Sequence, residues 1–119
     1  MTPAEFAGMI SRVRFAFATE DELQRGIDEV LERAGVARER EKRLSGADRI
    51  DFFLPADGMG IEVKIKGSTA DLVRQVGRYV QHPEIRCLVV IASRIRLANL
   101  PDRMNGKPVR VISLLSGIA

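Results

Sequence analysis

Asp51 and, after ten intervening residues, the run Glu62-Val63-Lys64 supply two carboxylates and an ammonium of the kinds that handle phosphodiesters. Between them lies Pro55-Ala56-Asp57-Gly58, and on either side the residue types alternate. Ile50, Phe52 and Leu54 are out of phase with Asp51. Ile61, Val63 and Ile65 are out of phase with Glu62, Lys64 and Lys66. This pattern predicts a β-hairpin with a two-residue turn at Asp57-Gly58, in which Asp51 opposes Lys64 and Glu62 is diagonal to both. Neighbours on one sheet face lie ~5 Å apart directly across and ~7–8 Å diagonally, so the three side chains form one polar cluster, and the other face is core.

Two carboxylates that close repel each other unless something neutralises them. A divalent cation does so, and Mg²⁺ takes oxygen ligands, using one or two protein carboxylates together with waters and substrate phosphate oxygens. Asp51 and Glu62 would hold Mg²⁺, or Mn²⁺ in its place, with the backbone carbonyl of Val63 as a further ligand. Lys64 would orient or help deprotonate the attacking water, or stabilise charge on the phosphate. The competing reading is a solvated strand face with cross-strand ion pairs worth at most ~1 kcal/mol.

Helices and further strands must position this cluster. Thr19 opens a helix with the capping box Thr19-x-x-Glu22, an acidic first turn and an apolar stripe Leu23, Ile27, Val30, Leu31, Ala34, ending at Gly35. Residues 1–18 are an apolar lead-in readable as a short helix or as a strand around Val13 to Phe17. Val36 to Leu44 is a highly charged segment read as a strand, in which Glu41 could add a carboxylate to the site. After Gly67, Ser68 caps a second helix with Leu72, Val73, Val76 and Val80 on its apolar face and with Gln75 and Tyr79 as i,i+4 neighbours. Cys87 to Ala92 is a continuous apolar run, as in a strand buried on both faces. Leu97 to Met104 reads as a short helix broken by Pro101, and Pro108 to Leu115 as a last strand. The order α-β-β-β-α-β-(α)-β implies an α/β fold with a central mixed sheet flanked by helices.

Asp51, Glu62-Val63-Lys64 and the downstream Gln75-x-x-x-Tyr79 together resemble the PD-(D/E)XK nuclease superfamily, which includes restriction endonucleases, Holliday-junction resolvases and RecB-like exonucleases. The similarity spans about residues 19–93, within one nuclease domain over residues 1–119. One departure is that Ile50, not Pro, precedes Asp51. The resemblance implies a restriction-endonuclease-like core and an Mg²⁺-dependent deoxyribonuclease. It makes Gln75 and Tyr79 helpers of the metal site and nucleic-acid backbone, and Glu22, in Thr19-Glu20-Asp21-Glu22, the first-helix acid that completes the site.

Composition sets outer bounds. The 119 residues are 45% hydrophobic and 29% charged, the balance of an ordinary globular domain, and carry a net charge of +3. The charge is divided unevenly. Met1 to Glu62 holds nine Lys and Arg against thirteen Asp and Glu, whereas Val63 to Ala119 holds ten against three. Lys66, Arg74, Arg78, Arg94 and Arg96 are the expected phosphate contacts. The single Cys, Cys87, excludes a disulfide framework within one chain, and the single His, His82, excludes a His-based metal cluster or an HNH-type nuclease. No stretch reaches the ~20 apolar residues of a membrane span, and Glu5 interrupts the N-terminal segment, so a cytoplasmic protein without signal peptide or anchor is expected. DNA is the expected partner, gripped by a homodimer or by a larger DNA-processing complex. The alternative is a non-catalytic nucleic-acid-binding or assembly module on the same fold.

Overall fold

The computed structural model describes residues 1–93 and 100–114. The lead-in is a helix, α1 (Pro3–Ser11), and no strand forms around Val13 to Phe17. Its start is written in Thr2 and Glu5, which exchange side-chain and backbone hydrogen bonds as a capping box, with Pro3 in the first turn. A second capping box, Thr19 with Glu22, opens α2 (Glu20–Arg33), and Leu23, Ile27 and Leu31 form its buried stripe. Strands β1 (Glu39–Ser45), β2 (Asp48–Leu54) and β3 (Met59–Lys64) run antiparallel in succession. Ser68 then caps α3 (Thr69–Tyr79), which leads to β4 (Cys87–Ala92). Arg103–Met104, expected as helix, is instead a short strand β5, paired antiparallel with β6 (Lys107–Ser113); Leu97, Ala98 and Asn99 lie outside the described residues.

The six strands form one mixed sheet in the order β1-β2-β3-β4-β6-β5, with β4 parallel to both of its neighbours. All six residues of β4 are buried, as its unbroken apolar composition requires of a strand covered on both faces. One layer of core joins α1 and α2 to Phe52, Leu54, Ile61, Val63, Val89 and Ile91. The other joins Leu72, Val76 and Tyr79 of α3 to Ile50, Phe53, Leu88 and Val90. The hairpin is therefore apolar on both faces over most of its length. Ile50 packs with α3, on the opposite side from Phe52 and Leu54, which corrects the single apolar face drawn from alternation. Gly60 makes room for this arrangement, since a Cβ there would stand 2.5 Å from Ile50 Cδ1 and 2.8 Å from Leu88 Cδ1. Among the described residues no helix is long and apolar enough to cross a membrane.

The hairpin register also differs from the expected one. Leu54 pairs with Met59 and Phe52 with Ile61, so the connection takes all four residues Pro55 to Gly58 rather than Asp57-Gly58 alone. A two-residue turn would place Pro55 in the ladder, where it has no N–H to donate. Asp57 N–H instead bonds Leu54 C=O at 3.2 Å, and Gly58 takes φ +61°. Because the slip is two residues, it changes cross-strand partners without by itself turning a side chain to the other face. Glu62, not Lys64, is carried to the main chain of Asp51.

Candidate active site

At Asp51 and Glu62 the hairpin stops being held by its backbone. The paired register runs from Leu54↔Met59 to Phe52↔Ile61, and beyond it the carboxylates take over the hydrogen bonding. Asp51 N–H donates to Glu62 Oε1 at 3.3 Å, and Val63 N–H donates to Asp51 Oδ2 at 2.8 Å. On the other side of β2, Glu41 interrupts the pairing between Arg40↔Phe52 and Lys42↔Ile50 with φ +54°. Asp51 thus sits just past the last paired rung of the β2–β3 ladder and level with a left-handed residue of β1, and its side chain takes the Val63 N–H.

Glu62 is 4% exposed and is the one charged side chain in the buried class among the described residues. α3 closes over it. Tyr79, itself 2% exposed, places its hydroxyl 3.4 Å from Glu62 Oε2, donates to Arg49 C=O at 2.9 Å and accepts from Gln75 Nε2 at 3.0 Å. The i,i+4 spacing of Gln75 and Tyr79 is what allows their side chains to meet. Burial, then the negative charge of Glu62, pushes the Tyr79 hydroxyl up, so it stays a neutral donor.

The acids themselves are held away from their ordinary ionisation. Burial, then the charge of Asp51, pushes Glu62 up to about 8, against the opposing pull of the Asp51 N–H and of Lys64. Asp51 is also raised, first by burial and then by Glu20 and Glu41, while the Val63 N–H works in the other direction. At neutral pH the pair keeps a proton that exposed carboxylates would have lost.

Lys64 stands half-buried on the same strand. Among the described residues it forms no ion pair, although its charge reaches Glu62 and Asp71. Glu22 is not brought to this group. Its carboxylate accepts from the Ala18 and Thr19 N–H groups and is consumed by the helix cap. The acid that α2 does deliver is Glu20, whose Oε2 accepts from Ile65 N–H at 3.3 Å and whose charge acts on Asp51. The sequence carries a hint of this choice, because a Glu at the third helical position of a Thr-x-x-Glu box is already committed to the cap. Glu41 approaches Asp51 as well, while its carboxylate pairs with Arg49 at 3.3 Å.

Among the expected phosphate contacts, Arg78 lines a recess beside Tyr79 and is bonded to Asp48 at 3.1 Å. Arg74 is exposed and pairs with Asp71, and Lys66 is exposed. Arg94 and Arg96 lie outside the described residues. Asp48, which sequence pattern did not single out, also accepts from His82 Nε2 at 3.0 Å, fastening the start of β2 to the end of α3.

Among the described residues no group of three His, Cys, Asp or Glu side chains stands close enough to make a metal site alone. The donors present still fit a hard divalent cation of the Mg²⁺ type. Asp51 and Glu62 offer oxygen only, and in a strand the N–H and C=O of one residue face the same neighbour, so Val63 C=O is aimed towards β2 like its N–H. Such a cation would be completed by water and substrate oxygens. Compared with protein-family descriptions, curated proteins and solved structures, the chain finds no match in any of the three.

Proposed function

We propose that this chain is a metal-dependent deoxyribonuclease of the PD-(D/E)XK kind, acting by hydrolysis at the Asp51, Glu62 and Lys64 group. The observation that carries the reading is Glu62, a carboxylate buried against a second carboxylate and beneath Tyr79, which keeps a proton at neutral pH and which a bound cation would neutralise in its place. Mg²⁺ or Mn²⁺, when bound, would supply charge neutralisation at the scissile phosphate and a more acidic water. Asp51 and Glu62 hold that ion with Val63 C=O. Tyr79 and Gln75 fix the rotamer of Glu62. Lys64, free of an ion pair to any described residue, orients the attacking water or donates to the phosphate oxygen on which charge accumulates. Glu20 occupies the place in this scheme first assigned to Glu22.

The test is to incubate the purified protein with branched, single-stranded and duplex DNA in Mg²⁺ and in Mn²⁺, alongside Asp51→Ala and Lys64→Ala. Wild type cuts at least one of these substrates and both variants lose the activity; equal cleavage by the variants overturns the assignment. The small number of carboxylates favours a second reading, a nucleic-acid-binding module without turnover. In that case calorimetry detects no Mg²⁺ or Mn²⁺ binding while DNA binding persists.

A further inference from the structure

Beside the carboxylate pair, on the α3 side of the sheet, lies an open recess of about 250 Å³ lined by Arg43, Asp48, Arg49, Gln75, Arg78 and Tyr79. Three guanidinium groups from three elements converge on it. Arg43 of β1 and Arg49 of β2 are direct cross-strand partners in the antiparallel ladder, and like charges placed directly opposite destabilise a sheet. The neighbouring carboxylates offset two of the three guanidinium groups. Asp48 is the single carboxylate in the lining and is already shared between Arg78 and His82, while Arg49 is drawn to Glu41 at 3.3 Å. Among the described residues no ion pair forms on Arg43. Counted with Glu41, the recess keeps one positive charge in excess, and it falls on Arg43.

Its placement says what it is for. Tyr79 is common to both sites: its hydroxyl bonds the main chain of Arg49 on one side and stands against Glu62 on the other. A ligand in the recess lies one side chain away from the carboxylate pair. Guanidinium groups present planar, paired donors suited to phosphate oxygens. We infer that the Arg43, Arg49 and Arg78 recess is a phosphate-binding subsite that takes the sugar–phosphate backbone of a DNA strand next to the position where Asp51 and Glu62 act. The identity of the ligand as DNA rests on the proposed nuclease reading; the phosphate chemistry rests on the arginines.

The experiment measures binding apart from cleavage. A fluorescein-labelled oligonucleotide, single-stranded and duplex, is titrated with protein in EDTA across a salt series by fluorescence anisotropy. Arg43→Ala/Arg49→Ala binds about tenfold or more weakly than wild type near 0.1 M salt, and its salt slope for duplex is shallower by about 0.9 for each phosphate it no longer neutralises. Arg25→Ala, an exposed change on α2, matches wild type. Thermal melts of the double variant show an unchanged or higher midpoint, because the repulsion across the β1–β2 ladder is relieved. Unchanged affinity and slope in a folded double variant overturn the subsite and leave the cleavage reading standing. Dependence on Arg43 and Arg49 in a protein that cuts nothing supports the subsite and removes the nuclease reading. Inorganic phosphate competing as tightly as the oligonucleotide overturns the DNA assignment in favour of a small-anion site.

Discussion

Two regions of this molecule use the same residue types to opposite ends. At the end of α2, Arg38 reaches back from the loop before β1 to Asp28 at 2.8 Å and Glu32 at 2.7 Å. Hydrogen bonding to Arg38 holds the Asp28 carboxyl below the usual range, and those two acids hold the guanidinium firmly charged. Acid and base sit together, and folding gains from it. Around β2 they are less evenly matched: Asp51 and Glu62 lie side by side with their ionisation suppressed, and Arg43 and Arg49 face each other across the next rungs with Glu41 on Arg49 alone. Each pool works against the fold by itself and would be relieved by a counter-charge from outside, a cation for the acids and an anion for the bases. The contrast separates charges that close the structure from charges held open for a ligand.

The largest effect expected is on catalysis. Lys64→Ala lowers the DNA cleavage rate by about 10²–10⁴-fold, the usual weight of a positioned proton-handling group, with the melting midpoint close to wild type. An unaltered rate would place Lys64 with the structural charges and dissolve the contrast.

Next is the pH dependence of stability in EDTA. Glu62 titrates at about 8 in the fold against 4.5 ordinarily, so between those values the folded state holds the extra proton. Stability from this group is complete below the ordinary value and declines as pH rises towards about 8. Asp51, also raised, adds in the same direction. Thermal melts follow the decline, Glu62→Gln flattens it, and Mg²⁺ raises the midpoint most on the alkaline side. A wild-type midpoint independent of pH over this window contradicts the buried-pair account.

Arg38→Ala comes third. Losing two charge-assisted hydrogen bonds at a partly exposed site costs ~1–2 kcal/mol in urea unfolding, with cleavage unaffected. Arg43→Ala is the smallest, within ~0.5 kcal/mol of wild type or on the stabilising side. A large loss there would mean that Arg43 closes the structure as Arg38 does.

Much of the fold was readable from local chemistry. Thr19-x-x-Glu22 with Gly35, the alternation on both sides of Pro55 to Gly58, Ser68 before α3 and the apolar run of β4 each report a boundary or an element through a hydrogen bond or a period that needs no distant partner. The open and the mistaken readings fall where a distant partner decides. Of the two readings left open for the lead-in, helix prevailed, with Phe6 and Ile10 packed on the sheet face shared with α2. Arg103–Met104 became strand because Lys107 and Pro108 lie opposite. At the site, the grouping of Asp51 with Glu62 and the pairing of Gln75 with Tyr79 followed from spacing, whereas Glu20 in place of Glu22 depended on which carboxylate the cap consumed.

The residue order alone carries the strand phase, the helix caps and the division of acids from bases, because each is set by neighbours within a few positions. Tertiary structure settled three further matters. A proline that cannot enter a ladder moved the register by two and brought Glu62 to the main chain of Asp51. Packing of α3 buried Glu62 beneath Tyr79 and so suppressed its ionisation. The turn between β1 and β2 laid Arg43 against Arg49, creating a charged recess from residues that, along the chain, look like ordinary surface. Burial and electrostatic repulsion act through space between segments far apart in sequence, and spacing along one strand or helix does not encode them.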